Sequence, residues 1–163
     1  MIVIADTTPV ISLLKIKRLD LLQKLFGEVF IPDAVYKELT SDKRFAGEAY
    51  AVTNASYIRA VSVSNPGAVR ILRMAEGLDQ GESEAIVLTD ELQADVLLMD
   101  EAKGRAVSGR MGITVMGTVG ILISAYEDGL ITPEDVRNCI DGLQKSGRHI
   151  GERHYRMLLD RLQ

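Results

Sequence analysis

The sequence predicts an α/β protein, a three-layer α/β/α sandwich built on a mostly parallel sheet of four or five strands. Short apolar runs alternate with segments of helical periodicity, and Pro and Gly stand at the junctions. Two of the runs, Ile2-Val3-Ile4-Ala5-Asp6 and Val96-Leu97-Leu98-Met99-Asp100, stop on an aspartate. Buried parallel strands read as continuous apolar runs, and their last residues emerge at the carboxyl edge of the sheet, where open α/β folds place ligands.

Taken in order, the first strand ends at Asp6, and Thr7-Thr8-Pro9 opens a helix, with Thr8 as cap and Pro9 at the first helical position. Leu19 to Phe26 makes a short helix closed by Gly27, and Val29 to Ile31, followed by Pro32, makes the second strand. A helix from about Asp33 to Thr40 carries Glu38. Arg44 to Asn54 reads as helical, Tyr57 to Val63 alternates like a strand, and Asn65-Pro66 opens a helix that Gly77 ends. The turn at Leu78 to Gly81 feeds an amphipathic helix reaching about Gln93, which leads into the strand ending at Asp100. Beyond it come a helix from Glu101 to about Arg110, a fifth strand over Ile113 to Met116, and an apolar helix from Thr118 to Tyr126. Thr132-Pro133-Glu134-Asp135 starts a further helix with a capping-box pattern, and Lys145 to Arg161 is basic and weakly amphipathic.

Composition narrows the function classes. A chain of 163 residues suits one domain, and 47% hydrophobic with 26% charged residues is ordinary globular material. No apolar run reaches the roughly 18 residues of a membrane helix, and the first strand lacks the basic flank of a signal peptide, so a soluble cytoplasmic protein is expected. The single cysteine, Cys139, lies in a helical pattern and is expected to be a buried, inert thiol. A net charge of −4 argues against a surface-wide nucleic-acid clamp and leaves room for a local basic patch.

The acids carry the chemistry. Asp6 or Asp100 alone could cap a helix, and Glu38 alone could be a solvated helix residue. Two aspartates ending buried strands tilt the balance, because several ionised carboxylates in one pocket repel unless a proton or cation intervenes. An all-oxygen cluster suits Mg²⁺ or Mn²⁺. Glu82 and Glu84 lie about 200° apart around a helix of 3.6 residues per turn, so they flank its apolar stripe on opposite sides and periodicity does not choose between them. Zinc is disfavoured: the only histidines, His149 and His154, lack helical zinc-ligand spacing and are expected on an exposed face of a terminal helix.

Four motifs carry a resemblance to the PIN-domain family, the PIN-like superfamily that includes the VapC-type toxins. They are Ile2 to Pro9, Ile31-Pro32-Asp33-Ala34-Val35-Tyr36-Lys37-Glu38-Leu39, Gly81-Glu82-Ser83-Glu84-Ala85-Ile86-Val87-Leu88, and Leu97 to Arg105. The last two are most similar to an uncharacterised PIN-like branch with a GExEA motif. The resemblance covers about residues 1 to 120 and leaves 121 to 163 as a helical extension of a single domain. It implies strand order 3-2-1-4-5, which makes the strands ending at Asp6 and Asp100 neighbours, their aspartates meeting.

It further implies that Asp6, Glu38, Glu82 and Asp100 form a catalytic metal site. Glu82 matches the family's usual interval to Asp100 better than Glu84, which stays the alternative ligand. Asp6 and Asp100 are assigned to the metal that positions water, with Glu38 and Glu82 assisting. Thr7 or Thr8 could orient a carboxylate or water, and Lys103 and Arg105 could meet substrate phosphate.

The function so implied is a metal-dependent endoribonuclease, the toxin of a toxin-antitoxin pair, with RNA as substrate, a small antitoxin as partner and a homodimer as assembly. With no Trp, three Phe and five Tyr, the chain offers little aromatic stacking for single-stranded bases, so phosphate and shape contacts should dominate. Lys145, Arg148, Arg153, Arg156 and Arg161 could supply them, or form a solvated face. The apolar helix from Thr118 is expected in the core rather than at a dimer surface. Competing readings are a PIN-like protein that binds RNA or a partner without cutting, and a receiver-like Mg²⁺-binding signalling domain. The latter needs an acceptor Asp after a central strand and a Lys after the last, which this chain does not present at Val63-Ser64-Asn65 or Met116-Gly117-Thr118.

Overall fold

A computed structural model describes residues 1–148 and 150–162; His149 lies outside the described residues. The sheet is formed by β1 (Val3–Ala5), β2 (Val29–Pro32), β3 (Ile58–Val61), β4 (Val96–Leu98) and β5 (Val115–Met116). Every pairing is parallel, and the order is β3-β2-β1-β4-β5. The sequence expectation of order 3-2-1-4-5 holds.

Strand alternation sorts the core into two faces. Val3 and Ala5 of β1, with Val96 and Leu98 of β4, join one cluster, while Ile4 and Leu97 join the other. The first face is covered by α1 (Thr7–Lys15), α2 (Asp20–Phe26), α8 (Thr118–Glu127), α9 (Pro133–Lys145) and α10 (Glu152–Arg161). The second face meets α6 (Gln80–Glu91) and α7 (Ala102–Arg110) through Ala85, Ile86, Leu88 and Val107. β1 and β4 are buried on both faces, which is why these two strands read as unbroken apolar runs. α3 (Asp33–Thr40) follows β2 and packs on α6.

Local signals fix several ends. Asn65 Oδ1 accepts from Ala68 N at 3.1 Å to open α5 (Pro66–Glu76), and Gly77, at φ 67°, closes it in a conformation that disfavours a side chain. Thr132 and Asp135 form a reciprocal capping box at the start of α9. Two expectations need correction. The first helix begins at Thr7 rather than at Pro9, with Asp6 at the N-cap position. The segment read as one helix from Arg44 is a 3₁₀ turn, Lys43–Phe45, followed by α4 (Ala46–Thr53), because Asp42 caps Arg44 N at 3.0 Å and tightens the entry.

The C-terminal helices join the first face. Ile121, Leu122 and Ala125 of α8 are fully buried, as are Val136 of α9 and Leu158 of α10, so α8 presents its apolar side to the core. Cys139 is buried, and burial raises its thiol. Among the described residues no helix is long and apolar enough to cross a membrane.

Candidate metal centre

Asp6 follows the last residue of the central strand. Its N–H donates to Leu98 O at 2.9 Å, continuing the β1–β4 ladder, and its side chain is only 3% exposed. It holds the N-cap position of α1 yet makes no side-chain capping bond there, so helix capping does not account for the carboxylate. Burial, partly offset by the Thr7 backbone N–H and reinforced by Asp79, Glu82 and Glu38, pushes its pKa from 3.8 to about 7.

Those three neighbours come from two elements. Glu38 projects from α3, and its Oε1 comes so near Gly81 of α6 that a Cβ there would lie 2.7 Å away; only glycine at 81 permits this approach. Glu38 is exposed as a residue, but its carboxyl end is crowded, and partial burial raises it, with Asp79 and Glu82 adding to the effect and the Thr7 hydroxyl tempering it. The Thr7 Oγ1 is itself buried with no partner of hydrogen-bonding geometry. Asp79 and Glu82 face each other across a capping box at the start of α6: Glu82 N donates to Asp79 Oδ1 at 2.8 Å, and Asp79 N donates to Glu82 Oε2 at 3.0 Å. Glu82 is raised by partial burial, with Asp79 and Glu101 raising it further and Lys103 opposing them.

Glu84 does different work. It is buried on α6, and it accepts from Ala34 N, in the first turn of α3, at 3.2 Å and from Gln80 Nε2 at 2.5 Å. Its charge thus sits at the positive end of α3 and ties that helix to α6. Glu82, not Glu84, is among the charges acting on Asp6.

Asp100 stands two residues beyond β4 and is held from the α8 side. The strands leading to Asp6 and Asp100 are adjacent, with Ala5 opposite Leu98. The Asp100 carboxylate accepts from Thr118 N at 2.7 Å and Thr118 Oγ1 at 2.6 Å. The reason lies in α8, whose N-cap residue, Gly117, has no side chain to satisfy the first free N–H; Asp100 supplies the oxygen from the neighbouring loop. A Cβ on Gly117 would lie 2.8 Å from Asp100 Oδ1, so this contact too depends on a glycine. Of the expected phosphate contacts, Lys103 points its Nζ to Gly77 O at 3.5 Å and Arg105 Nη1 donates to Met99 O at 3.0 Å. Thr8 lines a cavity together with Asp100 and Arg105.

In the sequence Asp79 shows only the spacing of a helix cap, an Asp with Glu three residues later, and its nearness to Asp6 comes from the tertiary approach of α6.

Among the described residues no group of three or more His, Cys, Asp or Glu side chains is gathered tightly enough to hold a metal ion as it stands. Ionised carboxylates repel, and metal-free acids at such a site relieve the repulsion by spacing and by retaining a proton. The donor chemistry nevertheless fits a hard cation: Asp6, Glu38, Asp79 and Glu82 offer only carboxylate oxygens, with the unpartnered Thr7 hydroxyl beside them.

A parallel sheet in order 3-2-1-4-5, with a buried aspartate just beyond its central strand and Glu38, Asp79 and Glu82 near enough to raise its pKa, defines an α/β/α domain with acids at the carboxyl edge beside its switch point. The order differs from the 2-1-3-4-5 of receiver-like folds, which removes that competitor. The model of the DUF3368 family, described as a PIN domain, matches residues 2–163, and the chain belongs to this family. The match takes in α8, α9 and α10 as well as the four motifs. PIN domains are generally nucleases that use divalent metals. No curated protein matches the chain.

Proposed function

We propose that the protein is a metal-dependent endoribonuclease that hydrolyses RNA phosphodiester bonds with Mg²⁺ or Mn²⁺, acting in the cytoplasm as the toxin of a toxin-antitoxin pair and as a homodimer. The observation that carries the nuclease reading is Asp6 itself, buried at the carboxyl edge beyond the central strand without a capping role, with Glu38, Asp79 and Glu82 near enough to raise its pKa. Like charges are costly to assemble, and a cation that binds a phosphate and a water is a sufficient reason to assemble them.

Asp6, Glu38 and Glu82, with Asp79 added by the geometry, would hold the cation, and Asp100 would join from the adjacent strand. A bound cation lowers the pKa of a water and stabilises the leaving oxygen. The chain's own residues prepare for it. With a pKa near 7, Asp6 holds or releases its proton around neutrality, so the cleft can exist without a cation and ionise fully with one. The unpartnered Thr7 hydroxyl is available to orient a carboxylate or a bound water, while Lys103 and Arg105, on the exposed side of α7, receive the substrate phosphate.

The test incubates the purified protein and its Asp6→Asn variant with a mixed RNA pool in Mn²⁺, Mg²⁺ or EDTA. Cleavage by the parent alone, abolished by EDTA, is expected; equal cleavage by both proteins would remove Asp6 from the site. A second reading, binding of RNA or a partner without cutting, draws on the engagement of both Asp100 oxygens by Thr118. RNA binding without cleavage in every metal would favour it.

A further inference from the structure

A cavity of about 580 Å³ opens beside Asp100, and much of its wall comes from the α9–α10 connection rather than from the acidic cleft. Arg105 of α7, Arg148 after α9 and His154 of α10 all line it. Arg156, on the same helix α10 but outside the cavity, is paired with Glu152 at 2.7 Å. Arg148 and His154 have no ion-pair or side-chain hydrogen-bond partner among the described residues, and Arg105 meets only the Met99 carbonyl at 3.0 Å. The rest of the lining is of two kinds. Met116, Ile123, Leu143 and Ile150 give an apolar surface, and the hydroxyls of Thr8 and Ser12 stand on the α1 side.

We infer that this cavity is a ribonucleotide subsite, seating the nucleotide next to the scissile phosphate of an RNA strand; the inference rests on the nuclease reading and adds to it the element that selects the substrate. Its volume falls in the range that holds a ligand of nucleotide size. The guanidinium groups of Arg105 and Arg148 suit a phosphate, which a planar fork of donors grips in two-point fashion, and the His154 imidazole adds a third polar contact. The apolar wall receives a base without aromatic stacking, in keeping with the absence of Trp. Hydroxyls on α1 face the ribose, whose 2′-OH separates RNA from DNA. Asp100, two residues beyond β4, and Thr8, two residues beyond Asp6, both line this wall, so the cavity lies at the carboxyl edge of the sheet where Asp6 also stands.

The test measures fluorescence anisotropy of a short labelled RNA, and of the DNA of the same sequence, with Asp6→Asn protein so that no cleavage occurs. The cavity variants Arg148→Ala and His154→Ala are compared with Arg59→Ala, which removes an exposed charge from β3, paired with Glu28 at 3.4 Å and outside the cavity. Thermal melting of each variant checks that the fold is kept. Arg148→Ala is expected to weaken RNA binding about tenfold and to reduce the slope of log Kd against log salt by about 0.7, the value for one lost phosphate contact to a single strand. His154→Ala should also weaken RNA binding, Arg59→Ala should leave it unchanged, and DNA should bind more weakly than RNA. RNA binding insensitive to Arg148 and His154, or equally weakened by Arg59→Ala, would overturn the subsite and leave the nuclease reading standing. No RNA binding by the parent chain would overturn both.

Discussion

Replacing Asp6 with asparagine should stabilise the metal-free protein at alkaline pH while removing its cleavage activity. The sign follows from the direction of the pKa change. In the folded chain the Asp6 carboxyl is raised from 3.8 to about 7, so between those values the folded state holds a proton that the unfolded state has lost. Stability therefore falls as pH rises from about 4 to about 7 and is flat beyond. The interval corresponds to a ceiling of about 4 kcal/mol at about 1.4 kcal/mol per pH unit. Local relaxation and water entry reduce it, and we expect a gain of about 1 to 3 kcal/mol for Asp6→Asn at about pH 8, with little difference at about pH 4. Asparagine keeps the shape and the oxygen facing the Thr7 N–H, and it is neutral throughout. Urea denaturation followed by circular dichroism in EDTA, at both pH values, gives the comparison. A stability difference between wild type and variant that does not change with pH would refute the account of Asp6 as a carboxyl crowded by burial and by Glu38, Asp79 and Glu82.

Gly81→Ala should melt close to the wild type, since a helical alanine gains about 1 kcal/mol over glycine, yet lose at least about tenfold in cleavage as its methyl displaces Glu38; unchanged cleavage would show that the close approach has no function. Glu82→Gln retains both capping-box acceptors and should change stability by less than about 0.5 kcal/mol while cleavage is lost. Glu84→Ala, by contrast, strands Ala34 N and should cost about 1 to 3 kcal/mol in urea denaturation; the reverse pattern would move the site role to Glu84. Mg²⁺ or Mn²⁺ at a hundred times its Kd should stabilise the wild type by about 2.7 kcal/mol, read as a rise in melting temperature, and Asp6→Asn less. A flat melting temperature across the titration would count against a cation site.

The fold was legible because it is written locally. α3 occupies the residues its pattern predicted, and Asn65, Gly77, Thr132 and Pro133 mark helix ends by capping chemistry that needs no tertiary information. The sheet order came from resemblance, since periodicity alone does not rank parallel strands. The site was legible only in part. Asp6 and Asp100 stand out because a charge ending a buried strand is unusual, but what each carboxylate touches depends on chain far away. Asp100 is drawn to α8 by the missing side chain of Gly117. Asp79 hid behind a local cap signal. The contact that sets Glu84 apart from Glu82, the Ala34 N–H, lies fifty positions away and is invisible to helical periodicity.

The tie from Glu84 to α3 separates two kinds of change that a lineage of such proteins can undergo. Under the proposed function, loss of Glu38 or Asp6 would silence the nuclease and leave a folded domain, whereas loss of Glu84 would loosen the packing of α3 on α6 whether or not the domain cuts. A relative that binds without cutting would then be expected to keep an acid at the place of Glu84 after the others had drifted. An acid retained there would report the fold, and the acids facing Asp6 the activity.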